Sequence, residues 1–474
     1  MSIIFKDIEF AYDSEGRNIL NECSGEFLRE KITVLTGASG CGKSTLLYLA
    51  AGLYPHNAGI LKKGSITVEG QQPDNLKPSK RCRVVGMMFQ NPELQFCMDT
   101  VYNELIFCLE NVCCEPDEMD ERIDESLGFC GITELKYRDL HSLSGGERQK
   151  VMLACIVMQD PDWLLLDEPF ANIDDESAKT ICGKLRKLHD ERNVGILAVD
   201  HRLDNWIDFA DELRVMKDGR LSGTVMNMKN PDEAFLEDNG IIVPGRHYVL
   251  SKGSAGDKAE ASPILKLENV SLSFGKKEVL KNVNAEFKRG MIYAVVGQSG
   301  CGKSTLFNAL FGINRFRGNI CAEGQPFRKW MRKNAGKIGF VMQNPQDQFI
   351  GGTVMYEVLS SLKGTGNAEE TARDILKSIK LWRYRDVSPY LLSQGQQRRL
   401  GVAALMAYDC RILVCDEPTY AQDRYNTVAI MERLCAQARE RNAAVIFSTH
   451  DMQLARDYAD VIYSMKEGTL CEQY

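Results

Sequence analysis

The stretch GASGCGKST, from Gly37 to Thr45, is written again almost letter for letter as GQSGCGKST, from Gly297 to Thr305. The pattern GxxxxGK[ST] makes a loop whose glycines let successive backbone N–H groups close around a phosphate. The positive end of the following helix stands behind it. Further matches follow in the same order. MMFQNPELQF (87–96) returns as VMQNPQDQFI (341–350), LSGGERQK (143–150) as LSQGQQRR (392–399), WLLLDEP (163–169) as ILVCDEP (412–418) and AVDH (198–201) as FSTH (447–450). The offset is 260 between Lys43 and Lys303, and 249 between Glu168 and Glu417 and again between His201 and His450. A whole domain is therefore doubled, with short length differences between its first and second motifs. At 474 residues, length alone suggests about three domains. The repeat reduces these to two, read as residues 1–225 and 263–474, with 226–262 as a linker. The stretch SKGSAGDKAEAS (251–262) is small and polar and offers no face to bury, the mark of a flexible tether.

Each half opens on strand-like text, IIFKDIEFAY and ILKLENVSLSF. ITVLTG (32–37) is a short β-rich run into the loop, and STLLYLAAG (44–52) reads as a helix stopped by glycine. WLLLD and GILAVDH are apolar throughout, while 145–159 has helical periodicity. Wholly apolar strands alternating with helices predict an α/β fold with a parallel sheet covered on both faces, and ligands at the carboxyl ends of its strands.

The motifs then acquire chemistry. Gly37, Gly40 and Gly42, with Gly297, Gly300 and Gly302, shape the two loops, which Thr45 and Thr305 complete. Lys43 and Lys303 reach the β and γ phosphates of a nucleotide, and Ser44 and Ser304 ligate Mg²⁺. Asp167 and Asp416, at strand ends, join the Mg²⁺ shell. Glu168 and Glu417 polarise an attacking water. His201 and His450 donate to the γ-phosphate. Gln90 and Gln343 contact the Mg²⁺ or the water. Ser144, Gly145 and Gly146, with Ser393 and Gly395, begin helices whose open N–H groups make a second anion site. That second site has no evident work within its own half. The expected answer to the duplication is that one half supplies the phosphate loop and the other this helix start, with ATP clamped between them.

Composition bounds the rest. A net charge of −7 gives no broad case for nucleic acid. The longest apolar runs fall short of the ~18 residues a membrane span needs, and MSIIFKDIEF has no secretion signal. Any membrane role therefore comes through a partner. The 16 cysteines include no CxxC pair and read as reduced thiols. Cys41 and Cys301, inside the phosphate loops beside lysines and helix starts, are expected to have lowered thiol pKa values and to be alkylated with loss of activity unless nucleotide protects them. The basic runs LKPSKRCR (76–83) and FRKWMRKN (327–334) are expected to be solvated subdomain faces.

With phosphate loop, glutamine loop, signature, Asp-Glu strand and histidine in order twice, the chain resembles the ATP-binding cassette family over nearly its whole length. The resemblance implies, in each half, a P-loop (RecA-like) core with an antiparallel β subdomain and a helical subdomain, the two halves closing head to tail. It also implies that Tyr12 and Phe274 stack on adenine. FQNPELQFCMDTVYNELIFCLEN (89–111) and MQNPQDQFIGGTVMYEVLSS (342–361) are similar to the glutamine-loop regions of ATPases from energy-coupling factor importers. There a helix after the loop forms a groove for coupling helices of a membrane scaffold. The acidic positions that receive its arginines correspond to Glu104 and Glu357. The implied function is the ATPase of an importer for a vitamin, vitamin precursor or metal ion, peripheral on the cytoplasmic face of the cell membrane, one chain per transporter, with a scaffold and a substrate-binding subunit as partners. Alternatives are a soluble tandem protein acting on ribosomes and the fused ATPase of a sugar importer. The linker's four Lys and Arg against six Asp and Glu disfavour RNA, and intact catalytic residues in both halves disfavour the sugar importer. Gln394 departs from the family pattern, giving LSQGQ, so the site of Lys43, Glu168 and the 393–395 signature is expected to be the slower of two working sites.

Overall fold

A computed structural model describes residues 1–473, apart from 15, 92–93, 171–172, 174, 244–262, 276, 299, 335, 363–365, 409 and 421. The chain divides into two compact units, Met1–Pro244 and Gly245–Tyr474. In each, an antiparallel sheet accompanies a six-stranded sheet. The six-stranded sheet of the first unit runs in the order Val85–Met88, Trp163–Asp167, Gly195–Val199, Ile32–Gly37, Glu212–Lys217, Arg220–Asn227. The first five strands are parallel and the last is antiparallel. The second unit repeats this order with Ile338–Val341, Ile412–Cys415, Ala444–Thr449, Ile292–Val296, Val461–Lys466 and Thr469–Gln473. The expected all-parallel sheet thus gains one antiparallel edge strand, joined by a tight turn through Gly219 or Gly468.

The central strands are buried on both faces, and their side chains divide with a period of two. Trp163, Leu165, Leu197 and Val199 face one core with Leu46, Leu47 and Leu49 of the phosphate-loop helix Lys43–Ala50 and with Phe5 and Phe27 of the antiparallel sheet. Leu164, Leu166, Ile196 and Ala198 face the other core, formed with the helices Val101–Asn111, Gly145–Val157 and Asp175–Arg192. The second unit adds a separate small core in its helical part, around Val354, Val358, Leu376 and Leu400.

The linker expectation is corrected at its amino-terminal end. Met226 and Met228 continue the edge strand into the core, the helix Glu233–Asp238 buries Leu236, and Ile241 and Val243 are buried with them. Ile242 pairs with Arg202 in an isolated bridge. An apolar residue every few positions in a polar segment was the signal missed. The remainder of the expected linker, 244–262, lies outside the described residues.

Candidate functional site

Parallel pairing sets the carboxyl ends of three strands side by side, because Val199 lies opposite both Leu35 and Asp167. The phosphate loop, the Asp-Glu pair and the histidine are neighbours for that reason alone. Gly37 has φ 153°, and a Cβ there would lie 2.2 Å from the carbonyl oxygen of Met216. Gly40 has φ 80° and open space around its missing Cβ, as a loop that wraps a ligand requires. Lys43 Nζ donates to the carbonyls of Gly37 at 2.8 Å and Ala38 at 3.0 Å. Lys303 repeats this with Gly297 at 2.7 Å and Gln298 at 3.0 Å. Each lysine holds its own loop in shape and keeps its charge at the loop's mouth. Tyr12 Oη lies 3.1 Å from Thr45 Oγ1, which brings that exposed ring to the first loop; Phe274 is exposed at the end of its strand.

Asp167 is completely buried, and among the described residues neither carboxylate oxygen has a hydrogen-bond partner at normal distance. Burial pushes its carboxyl up to about 6, against the pull of nearby Ser44 and Lys43. A buried, under-satisfied carboxylate beside a hydroxyl is a fit for a hard cation, so Asp167 with Ser44 can hold Mg²⁺. In the second half, burial raises the Asp416 carboxyl, with Ser448 and Ser304 pulling it back. Ser448 Oγ donates to Asp416 Oδ1 at 2.6 Å and accepts from the N–H of Glu417 at 2.9 Å. Val199 stands at the equivalent place, and the N–H of Glu168 donates to its carbonyl at 2.8 Å.

Glu168 is buried and Glu417 half-buried, and both are left-handed, with φ of 49° and 48°, a conformation that costs a non-glycine residue energy and clusters at functional sites. His201 Nε2 is 3.4 Å from Glu168 Oε1, and His450 Nδ1 is 3.6 Å from Glu417 Oε2. The electrostatics nevertheless diverge. Burial, then Asp167 and Asp200, push the Glu168 carboxyl up to about 8. Burial, then Lys43, hold His201 well below the usual imidazole range. Burial would raise Glu417 too, but His450, Lys303 and Arg398 outweigh it and bring the carboxyl down to about 2. His450 is the largest pull on Glu417, and two residues absent from the sequence expectations add to the divergence. Asp200 stands where the second half has Thr449. It is buried, accepting from the Arg202 N–H at 2.9 Å and from Trp206 Nε1 at 2.9 Å, and Trp206 packs on Phe170 at 5.2 Å between ring centroids. Arg398 stands where the first half has Gln149.

Gln90 is half-buried near Glu168, while Gln343 is exposed. What shapes both loops is a second glutamine five residues on. Gln95 Oε1 accepts from the Phe89 N–H at 2.7 Å and its Nε2 donates to Met87 at 2.9 Å. Gln348 Oε1 accepts from the Met342 N–H at 3.0 Å. The repeated spacing was the available signal. Ser144 and Ser393 cap the helices Gly145–Val157 and Gln394–Met406. Each sits in a capping box, with Glu147 at the first and Gln396 at the second. Ser144 Oγ donates to Glu147 Oε2 at 2.7 Å, so the helix start is partly occupied by a carboxylate of its own.

Two expectations are corrected. Glu104 and Glu357 are not exposed acceptors for a partner's arginines: they are 2% and 4% exposed. Glu104 Oε2 accepts from the N–H groups of Cys97 and Met98, both at 2.8 Å, and Glu357 Oε2 from Ile350 at 2.9 Å and Gly351 at 2.6 Å. A carboxylate near a helix start meets the backbone of the preceding loop before it meets solvent. For Cys301, burial outweighs Lys303 and the helix start and raises the thiol, so it is not an activated thiolate. Trp330 of the second basic run is fully buried, its Nε1 donating to Glu323 Oε2 at 2.8 Å.

Comparison with known proteins follows the same lines. A family model described as ABC transporter matches residues 20–171 and 280–420. The chain is 33% identical to a Bacillus subtilis protein named "Putative HMP/thiamine import ATP-binding protein", over 98% of this chain and 90% of that one. It is 30% identical to a Methanosarcina mazei protein named "Putative ABC transporter ATP-binding protein", over 99% and 88%. In fold it is similar to an archaeal ABCE1 bound with Pelota on the ribosome, with TM-score 0.72 at 20% identity over 98% of this chain and 78% of that one. It is likewise similar to a structure named RNase-L Inhibitor, with TM-score 0.67 at 19% identity over 98% and 90%.

Proposed function

Because the chain belongs to the ABC transporter family of ATPases, we propose that it is the ATPase subunit of an energy-coupling factor type importer for a vitamin, vitamin precursor or metal ion. The observation that carries this reading is the end-to-end match with an import ATP-binding protein, at 98% of this chain and 90% of its relative. The likeness to the ribosome-bound ABCE1 and to the RNase-L Inhibitor structure is one of fold alone, at 19–20% identity. Among the described residues no helix is long and apolar enough to cross a membrane; in the proposed reading partner subunits supply the translocation path.

In this reading each half carries one set of ATP-handling residues: Lys43, Ser44, Gln90, Asp167, Glu168 and His201 with the helix start at Ser144, Gly145 and Gly146 in the first, and Lys303, Ser304, Gln343, Asp416, Glu417 and His450 with the helix start at Ser393 and Gly395 in the second. Ser44 with Asp167, and Ser304 with Asp416, would hold Mg²⁺, which when bound would neutralise phosphate charge. Lys43 and Lys303 exchange their loop carbonyls for phosphate oxygens. Glu168 and Glu417 accept a proton from the attacking water, which His201 and His450 orient while donating to the γ-phosphate. Tyr12 and Phe274 cover the adenines. Closure on ATP and reopening after hydrolysis drive the membrane partner.

The experiment is affinity capture of the full chain from detergent-solubilised membranes of its own cell, alongside ribosome co-sedimentation. Capture of polytopic membrane proteins whose presence stimulates ATP turnover supports the reading. Co-sedimentation with ribosomes without any membrane partner overturns it.

A further inference from the structure

We propose that Tyr48 is a positioning residue for the carboxylate of Asp167, and that it does from the phosphate-loop helix what Ser448 does in the second half from a neighbouring strand. The inference deepens the reading of Ser44 and Asp167 as Mg²⁺ ligands and rests on it.

The two halves support the same aspartate differently. In the second, Ser448 Oγ donates to Asp416 Oδ1 at 2.6 Å. In the first, the neighbouring strand offers Val199 at that place, and its side chain has no donor. A carboxylate that holds a cation through one oxygen is oriented by a donor on the other, and the donor governs how tightly the cation is held. The first half must therefore find its donor elsewhere.

Tyr48 lies on the helix Lys43–Ala50, four residues after Ser44, so the two side chains share one helix face. Its half-buried ring is gripped by two others. Tyr54 lies 5.2 Å away between ring centroids at 81°, and Phe89 lies 5.4 Å away at 68°. Phe89 directly precedes Gln90, and its own N–H is fixed to Gln95. These contacts set the ring and so the direction of its hydroxyl. The phenol and the carboxyl each register the other: burial raises Asp167 against the pull of Ser44, Lys43 and Tyr48, and burial, then Asp167, raises Tyr48. A protonated phenol facing a carboxylate is the donor of the pair. The bond is not yet of normal geometry; ionisation of Asp167 on holding a cation closes it.

The second half has none of the three rings. By the offsets that align Lys43 with Lys303 and Gln90 with Gln343, Asn308 stands for Tyr48, Asn314 for Tyr54 and Met342 for Phe89. A gripped tyrosine in one half and a strand serine in the other are alternative supports for the same aspartate.

The test uses the full chain carrying Lys303→Ala, which leaves the phosphate loop of the first half as the working one. Mn²⁺ is the probe, and its binding together with a non-hydrolysable ATP analogue is read by electron paramagnetic resonance. Tyr48→Phe, which keeps the ring and its packing, weakens Mn²⁺ binding by about tenfold, while affinity for the same analogue in EDTA changes by less than about twofold. Adding Val199→Ser, which installs the hydroxyl of the second half, restores Mn²⁺ affinity to within about twofold of the parent. Val199→Thr, closer to valine in volume, serves where Val199→Ser does not fold. An unchanged Mn²⁺ affinity in Tyr48→Phe overturns the proposal, as does a loss that appears equally in EDTA or persists in both double variants. A chain with Tyr48 intact that binds the analogue but no Mn²⁺ overturns instead the reading of Ser44 and Asp167 as metal ligands.

Discussion

His201 Nε2 sits 3.4 Å from Glu168 Oε1, yet at neutral pH the contact is between two uncharged groups, because the carboxyl is held at about 8 and the imidazole stays neutral. The equivalent contact, His450 to Glu417 at 3.6 Å, involves a fully ionised carboxylate. One motif, written twice, rests in two protonation states.

The pH profiles of the two sites should therefore part. A base must be deprotonated, so a site whose glutamate ionises near 8 gains activity as pH rises. In a Glu417→Gln chain, kcat/KM should climb roughly fivefold from pH 7 to 8 and about twofold more before levelling above pH 9, since kcat/KM reports the free enzyme. In a Glu168→Gln chain no such climb should occur. Asp200→Asn, removing one of the charges that raise Glu168, should move the climb to lower pH. Steady-state ATPase assays across pH 6 to 9.5 check this, and matching profiles would contradict it. Full activity in Glu168→Gln with none in Glu417→Gln would show that only the second site works.

Asp167→Asn should raise stability while destroying first-site turnover. The two Asp167 oxygens are buried without partners at normal distance, so the nucleotide-free chain carries their desolvation. Relief of about 1–2 kcal/mol is expected. Thermal melts without and with Mg-ATP measure both sides: the variant melts higher than the parent alone and gains less from ligand. A lower melting temperature without ligand would refute the account.

Glu104→Ala and Glu357→Ala should destabilise their subdomains by about 2–3 kcal/mol each, because two backbone donors per site lose a charged acceptor. The Gln variants, retaining one carbonyl oxygen, should lose less. Denaturant titration decides it. Unchanged midpoints, combined with lost membrane-partner binding, would restore these residues to the docking role that structure denies them.

Glu147→Gln should lower KM for ATP by about fivefold, equivalent to ~1 kcal/mol for removing an exposed charge, since the carboxylate now competes with phosphate for Ser144 Oγ. Nucleotide titration by calorimetry measures it.

The sequence announced the doubled fold because its signals are local. Glycines at left-handed positions, four apolar residues before Asp-Glu and a serine three residues before Glu147 each act within one turn or strand. A parallel sheet with ligands at the carboxyl ends of its strands followed from the same apolar runs, whereas the strand order did not. The contacts that distinguish the two sites are not local. Asp200 reaches Glu168 only because strands 163–167 and 195–199 are neighbours, and Arg398 reaches Asp416 across a helix–strand packing. Glu104 looked like surface because helix periodicity cannot say that the preceding loop folds back over it. The segment 226–243 looked like linker because its buried residues, Leu236 and Ile241, fall between charges.

Asp200 has one more consequence. Of the four tryptophans, Trp163 and Trp330 give their indole hydrogens to Glu69 and Glu323, and Trp382 lies beside the guanidinium groups of Arg373 and Arg385. Trp206 alone is bonded to a carboxylate bordering a catalytic glutamate. With the other three tryptophans replaced, its emission should report on the surroundings of Glu168 without an added dye.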